Sequence, residues 1–355
     1  MVDCSFSVQL LNKFVKMKIK NSPFLIAEVG QSHHGSFKKL IKIIDKISGT
    51  EVDAIKFQTH IANAESTLDE PFRSIKNIKK KYRNRFDYWK SVEFSFNSWK
   101  KISEYVKKKN KFFISSPFSL EGLNLLKKVN VQAIKIGSGE FFSQDLIDES
   151  IKSNLPIIIS TGLSTYQEIG KIINLLKKRR KNFTILQCHT SYPNKFEEIG
   201  INLIDKWKKK FKCPIGISIH SNSISPAIAS IVKGADIIEI HVKINEDRFN
   251  PDNSSSITID QLKSICDFRK DYNFLNKPGY NKKILNYEQK KLKSVFTKSL
   301  ALKSSKPKGY ILKKEDLTLK KPGTGIKFSQ LKQVVGRILK NQVSYKRLLK
   351  RRDLK

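Results

Sequence analysis

Eight short apolar runs punctuate the first two-thirds of the chain: Phe24–Gly30, Ala54–Thr59, Phe112–Phe118, Ala133–Glu140, Pro156–Thr161, Phe183–Thr190, Pro214–His220 and Ile237–Val242. They are nearly continuous in Ile, Leu, Phe and Val rather than alternating, as expected of parallel strands covered on both faces. Between them the apolar positions switch to helical spacing, over Phe37–Ile47, Phe96–Lys107, Glu121–Lys128, Thr165–Leu176, Ile201–Phe211 and Thr258–Arg269. Eight β-then-α units in series predict an α/β fold, a closed (β/α)8 TIM barrel rather than an open doubly wound sheet. A Gly-x-Gly-x-x-Gly turn is missing after the first run, which disfavours dinucleotide binding; Gly137-Ser-Gly139 closes a strand without the rest of that fingerprint.

Two stretches depart from this rhythm. The connection Ile61–Glu93 is long for a βα loop, and loops of that length usually cover an active site or are disordered. After about Asn273 the pattern breaks into short strand-like pieces, Ser299–Leu302, Tyr310–Leu312 and Leu317–Leu319, ahead of the turn Lys321-Pro-Gly-Thr-Gly325. The expected organisation is therefore a barrel domain over 1–275 (barrel proper from about 24), a polar linker over 276–294, and a small β-rich domain over 295–355.

Composition narrows the class. At 355 residues and 39% hydrophobic content the chain can bury a large core. No apolar segment is long enough to cross a bilayer, and Met1-Val-Asp-Cys-Ser-Phe6 has no secretory signature, so a cytoplasmic protein is expected. Cys4, Cys188, Cys213 and Cys266 are far apart, which fits reduced thiols better than a disulfide frame or a zinc site. The formal net charge of +37 is spread over nearly every helix, as in Lys38-Lys39, Lys177-Lys178 and Lys208-Lys209-Lys210, without a recognition motif or an aromatic stacking platform. A Lys-, Ile- and Asn-rich composition accounts for it more simply than a specific nucleic-acid partner does.

Candidate chemistry sits where the runs end. Barrel enzymes carry their reactive groups at the C-terminal ends of strands. Here those ends are Glu28, Lys56 and Gln58, Ser116, Lys135 with Ser138 and Glu140, Ser160, Thr190 with Tyr192, Ser218 with His220, and Glu239 with His241. Lys56 and Lys135 with the hydroxyls of Ser116, Ser138 and Ser160 would make a phosphate or carboxylate pocket, because a buried ammonium needs an anionic partner. Glu28 with His220 and His241 would suit a divalent cation with open positions for substrate oxygens. Taken singly, each histidine also reads as a core residue and each lysine as half of a structural salt bridge.

In that order the motifs resemble the sialic acid synthase family, which condenses phosphoenolpyruvate with N-acetylated aminosugars. The matching segments are Ile-Ala-Glu28-Val-Gly-x-x-His33-x-Gly35, Lys56-Phe-Gln58-Thr, Ser-Ser116-Pro-Phe, Lys135-Ile-Gly-Ser138-Gly-Glu140, Ser160-Thr-Gly, Ser191-Tyr192-Pro193 and Gly-Ile-Ser218-Ile-His220-Ser. Pro322-Gly-Thr-Gly325 resembles the family's antifreeze-like (SAF) domain.

The resemblance implies roles. Glu28, His220 and His241 would be catalytic, with His220 and His241 holding manganese or magnesium. Lys56, Ser116, Lys135, Ser138, Ser160 and Ser218 would bind phosphoenolpyruvate; Gln58, Glu140, Thr190, Tyr192, Asp252 and Lys321 would contact the sugar. It also implies a domain-swapped homodimer in which the tail of one subunit covers the other's barrel, and it makes N-acetylmannosamine the leading sugar, with legionaminic- or pseudaminic-type precursors, or an inactive scaffold barrel, as alternatives. The chain departs from the family pattern at Ile219 and Ile240, where an Asp and an Arg often precede the metal histidines, at Ser32-His33-His34-Gly35 in place of an Asn-His-Asn-Gly turn, at Thr190 in place of Asn, and at Lys321 in place of Arg. A lysine keeps the charge but loses the planar fork, which puts sugar selectivity at issue.

Overall fold

Strands β1 (Phe24–Glu28), β2 (Ala54–Thr59), β3 (Phe112–Pro117), β4 (Ala133–Ile136), β5 (Ile157–Ser160), β6 (Phe183–Gln187), β7 (Ile215–Ile219) and β8 (Ile237–Lys243) form one parallel sheet in sequence order. β8 pairs back onto β1 over five residues, which closes the barrel. The computed structural model describes residues 22–72, 82–244, 250–277, 279 and 283–355. Cys4, the N-terminal segment, the basic part of the 61–93 connection and part of the expected linker lie outside the described residues. The chain divides into two compact units, Met1–Asn276 and Lys277–Lys355.

In the first unit the strands are buried on both faces, and side-chain alternation sorts their residues into two layers. Phe24, Ile26, Ala54, Phe112, Ile114, Ala133, Ile158, Leu186 and Ile237 form the apolar floor inside the barrel. The alternate positions, among them Leu25, Ile55, Phe113, Ile134, Ile159, Ile185, Ile217, Ile219, Ile238 and Ile240, pack outward against the helices. Ser36, Ser95, Ser119, Thr165 and Thr258 start five of those helices by accepting a hydrogen bond from the third helical amide. Two barrel helices fall outside the helical stretches expected above: Ser225–Val232, which is apolar nearly all round, and Gln144–Lys152, which begins without a side-chain cap but buries Leu146, Ile147 and Ile151 on one face.

The long β2 connection carries secondary structure of its own. It contains helices Ala62–Glu65 and Arg85–Val92, and Ala62, Tyr88, Trp89 and Val92 give it a small core of its own. Asn84 caps the second helix.

The second unit pairs Ser299–Leu302 antiparallel with Leu317–Lys320 around Leu300, Leu302, Leu312, Val334, Leu339, Val343 and Leu349. Tyr310–Leu312, expected as a strand, makes only the single bridge Ile311–Ile338. A helix, Tyr287–Phe296, occupies the stretch expected as linker, started by an Asn286–Gln289 capping box. Among the described residues, no helix is long and apolar enough to cross a membrane.

Candidate active site

Each inward row changes character two residues beyond the floor. Ile26 is followed by Glu28, Ala54 by Lys56 and Gln58, Ile114 by Ser116, Ala133 by Lys135, Ile158 by Ser160, and Ile237 by Glu239 and His241. The strand register sets these residues side by side: Glu28 is level with both Lys56 and His241, Gln58 with Ser116, and Ser218 with Glu239. The result is a polar cavity of about 400 Å³ at the C-terminal mouth of the barrel.

Four buried charges form its base. Lys56 Nζ is 2.7 Å from Glu28 Oε2 and 3.7 Å from Glu239 Oε1; Lys135 Nζ is 3.6 Å from Glu239 Oε2. Ser218 donates to Glu239 Oε1 at 3.1 Å. Burial works against the charge of Lys56, but Glu239 and Glu28 overcome it and hold its pKa above the ordinary lysine value. Lys135 is equally buried, has Glu239 as its main counter-charge and is repelled by Lys56, so burial wins and its pKa falls. Burial also opposes the charge of Glu239, yet Lys135 and Lys56 pull its pKa well below the usual carboxylate range. Two ammonium groups and two carboxylates cancel formally, leaving Lys135 the least compensated of the four.

Hydroxyls surround this base. Ser160 Oγ and Thr190 Oγ1 are buried on the cavity wall without a hydrogen-bond partner. Ser138 Oγ accepts from the Gly162 amide at 3.0 Å, and a Cβ at Gly162 would stand 2.1 Å from Thr190 Oγ1, so only glycine fits between these two side chains. Glu140 lines the cavity with its carboxyl lifted above the usual range by burial, although Ser143 donates to it at 2.8 Å.

Opposite stand the histidines, their ring centroids 5.3 Å apart. Tyr192 stacks on His220 at 4.1 Å. His220 Nδ1 is 3.1 Å from the His189 carbonyl, which can only accept, so the proton is on Nδ1 and Nε2 keeps its lone pair. Burial, reinforced by His241, lowers the His220 pKa to about 3, so this ring is neutral near pH 7. His241 Nδ1 is buried without a hydrogen bond, 3.8 Å from Asp252 Oδ2. The neutral His220 ring, with the His241 ring beside it, fits a divalent ion that takes its other ligands from water and substrate. Among the described residues, no group of three or more His, Cys, Asp or Glu side chains converges as a metal cage.

The cavity gathers most of the expected residues: Lys56, Gln58, Ser116, Lys135, Ser138, Glu140, Ser160, Thr190, Tyr192, Ser218, His220 and His241 all line it. Two do not. Glu28 was expected at the reacting centre, but it is fully buried one layer behind the wall, where its oxygens hold Lys56 and the Gln58 amide at 3.1 Å. Asp252, expected to touch the sugar, is tucked behind His241. Its amide is held by Asn250 Oδ1, its carbonyl by Ser256, and its carboxylate packs against the Gly30 turn. Lys321 belongs to the second unit, where its ammonium stands 5.5 Å from the Phe296 ring centroid.

Sequence reasoning missed a whole wall. His60, Glu65, Glu70, Arg85 and Trp89 from the β2 connection, together with Phe118, also line the cavity. The signal was available in the unusual length of that connection, but apolar periodicity says nothing about polar residues on short helices.

A pattern describing the NeuB family matches residues 43–275. The chain belongs to the NeuB family. Among its relatives, the N,N'-diacetyllegionaminic acid synthase of Campylobacter jejuni is 30% identical over 318 residues, 88% of this chain and 95% of that protein. The pseudaminic acid synthase of Campylobacter jejuni is 26% identical over 335 residues, 94% of this chain and 96% of that protein. The crystal structure of N-acetylneuraminic acid (sialic acid) synthetase from Leptospira borgpetersenii, in complex with citrate, superimposes with a TM-score of 0.65 at 28% identity, covering 77% of this chain and 90% of that chain. Within this NeuB-family barrel, Ile219 and Ile240 face outward into the strand–helix layer and lie outside the cavity lining. Those two positions therefore belong to core packing, whereas Thr190 stands on the cavity wall.

Proposed function

We propose that this NeuB-family chain is a nonulosonic acid synthase, condensing phosphoenolpyruvate with an N-acetylated aminosugar and water to give a sialic-type acid and phosphate. The observation that carries the reading is the Lys56–Lys135 pair. Two buried ammonium groups at the base of a hydroxyl-lined cavity, one of them short of negative charge, suit a small polyanion. Lys56, Lys135, Ser116, Ser138, Ser160 and Ser218 bind its phosphate and carboxylate; Gln58, Glu140, Thr190 and Tyr192 face the sugar. Glu28 orients Lys56 and Gln58 and is a positioning residue.

In the reaction, C3 of phosphoenolpyruvate bonds to the aldehyde carbon of the open-chain sugar, and the aldehyde oxygen takes a proton to become a hydroxyl. Water adds to C2 and loses a proton, and cleavage of the C2–O bond releases phosphate and leaves the ketone. His220 and His241 would hold manganese or magnesium, which supplies Lewis-acid polarisation of the aldehyde oxygen when bound. The protein's own contribution is to hold both substrates at reacting distance in one cavity.

N-acetylmannosamine remains the leading substrate. The C. jejuni legionaminic acid synthase relative favours a second reading, in which the sugar is a diacetamido, 6-deoxy relative. We propose further that the second unit is an SAF domain, on the strength of its Pro322-Gly-Thr-Gly325 turn and its own compact core, and that it serves the partner's barrel in a cytoplasmic, domain-swapped homodimer. Phosphate release from phosphoenolpyruvate across a panel of these aminosugars with manganese present tests the function. Release with at least one of them is expected, and release with none overturns it.

A further inference from the structure

Hydrogen-bond logic fixes a proton in the wall that the β2 connection builds. Gln58 Nε2 donates to Glu28 Oε1 at 3.1 Å, and the other oxygen of that carboxylate faces the Lys56 ammonium, so the amide nitrogen of Gln58 must point toward Glu28. Gln58 Oε1 therefore points the other way, accepting from Gln31 Nε2 at 3.0 Å and facing His60 Nε2 at 3.2 Å. An amide oxygen only accepts, so His60 Nε2 bears a hydrogen. On the far side of the same ring, His60 Nδ1 is 2.7 Å from Glu65 Oε1. A proton must lie between those two atoms as well, and the His60–Glu65 pair is net neutral whichever atom carries it. The ring cannot turn out of this arrangement: Trp89 stacks on one face at 4.1 Å and Phe118 on the other at 4.3 Å.

All of this order terminates in one unsatisfied atom. Glu65 is a cavity-lining residue with a side chain 5% exposed, and its second oxygen, Oε2, is buried without a hydrogen-bond partner. Glu70 beside it differs, since it accepts from the Trp89 indole at 2.9 Å and pairs with Arg85 at 3.1 Å. Leaving a buried carboxylate oxygen unpaired is costly, and a ligand that donates to it recovers that cost. Glu140 borders the same end of the cavity, where the charge of Glu65 adds to burial in lifting its carboxyl. That end is three hydrogen bonds out from Glu28, on the loop side of the barrel mouth.

We propose that Glu65 is a specificity-determining residue for the sugar: Oε2, aimed by the clamped His60, accepts a hydrogen bond from a hydroxyl or amide N–H on the part of the aminosugar remote from the aldehyde. This deepens, and rests on, the synthase reading. Steady-state kinetics on the full-length protein test it, using whichever of N-acetylmannosamine and its diacetamido, 6-deoxy relative the wild type turns over. Glu65→Ala raises the sugar KM about 10- to 100-fold, the span expected for a hydrogen bond to a charged group, while the phosphoenolpyruvate KM stays within about twofold. Glu65→Gln recovers most of the loss, because its amide nitrogen can donate to His60 Nδ1 and leave the oxygen toward the cavity. Should Glu65→Ala fail to fold, His60→Phe, which keeps the aromatic stack and removes the tether, must raise the sugar KM alone. An unchanged sugar KM, or both KM values rising together, overturns the proposal while leaving the synthase reading intact. A wild type that turns over no aminosugar overturns both.

Discussion

Lys135 stands 3.6 Å from Glu239, a carboxylate whose other oxygen is 3.7 Å from Lys56. Burial, offset only by a counter-ion shared with Lys56, leaves Lys135 with a lowered pKa, so the free site loses this positive charge at a pH below the ordinary lysine range. An arriving polyanion favours the charged form and reverses the shift. Phosphoenolpyruvate affinity is therefore expected to fall on the alkaline side before an ordinary lysine would titrate, with proton uptake accompanying binding in that range. Calorimetry in two buffers of different ionisation enthalpy measures the uptake, and binding without uptake at any alkaline pH contradicts this account. Lys135→Met removes the charge and is expected to raise the phosphoenolpyruvate KM at least about 10-fold.

The two imidazoles make metal dependence the second expectation. Chelation should abolish phosphate release and manganese should restore it. His220→Ala and His241→Ala should each weaken manganese binding about 10- to 100-fold, the scale seen when support around a metal is lost. Titration calorimetry with manganese alone checks this independently of turnover, and wild-type affinity in both variants would contradict it.

Acid should unfold the barrel early. Burial, with smaller contributions from neighbouring positive groups, lowers the pKa values of His33 and His220 to about 3 from 6.5. Unfolding frees both rings to take up protons that the native state refuses, so stability declines as pH falls from about 6.5 toward 3. At pH 5 each histidine costs about 2 kcal/mol relative to pH 7.5, about 4 kcal/mol together. Urea midpoints of the metal-free protein across this window measure the loss. A flat profile would contradict the buried, neutral state of both rings.

Each unit has its own core, so a chain ending at Asn276 should fold. The expectation is a cooperative thermal transition for the truncated barrel with activity reduced at least about tenfold, because the proposed cover supplied by the partner's SAF domain is gone. Full activity in this truncation would remove the second unit from the catalytic account.

Much of the barrel was legible because parallel strands buried on both faces need continuous apolar runs, and all eight appeared in the sequence with boundaries close to those observed. The strand ends were legible for the same reason: once a run is identified, its last inward residue is a matter of counting by two, as from Ile237 to Glu239 and His241. Depth was not. Glu28 and Asp252 occupy inward or mouth positions in the sequence, yet each is held one layer back by partners that only tertiary structure supplies, Lys56 and Gln58 for one, Asn250 and the Gly30 turn for the other. The His60–Glu65 wall was hidden because its residues carry no period and act through contacts between β2, its connection and Phe118.

The central claim is tested most directly by mass spectrometry of the reaction run in ¹⁸O-labelled water with phosphoenolpyruvate, manganese and the accepted aminosugar. The account predicts a nonulosonic acid carrying one solvent-derived ¹⁸O at C2 and inorganic phosphate free of label. Label in the phosphate, or phosphate release without a new carbon–carbon-bonded acid, would contradict it.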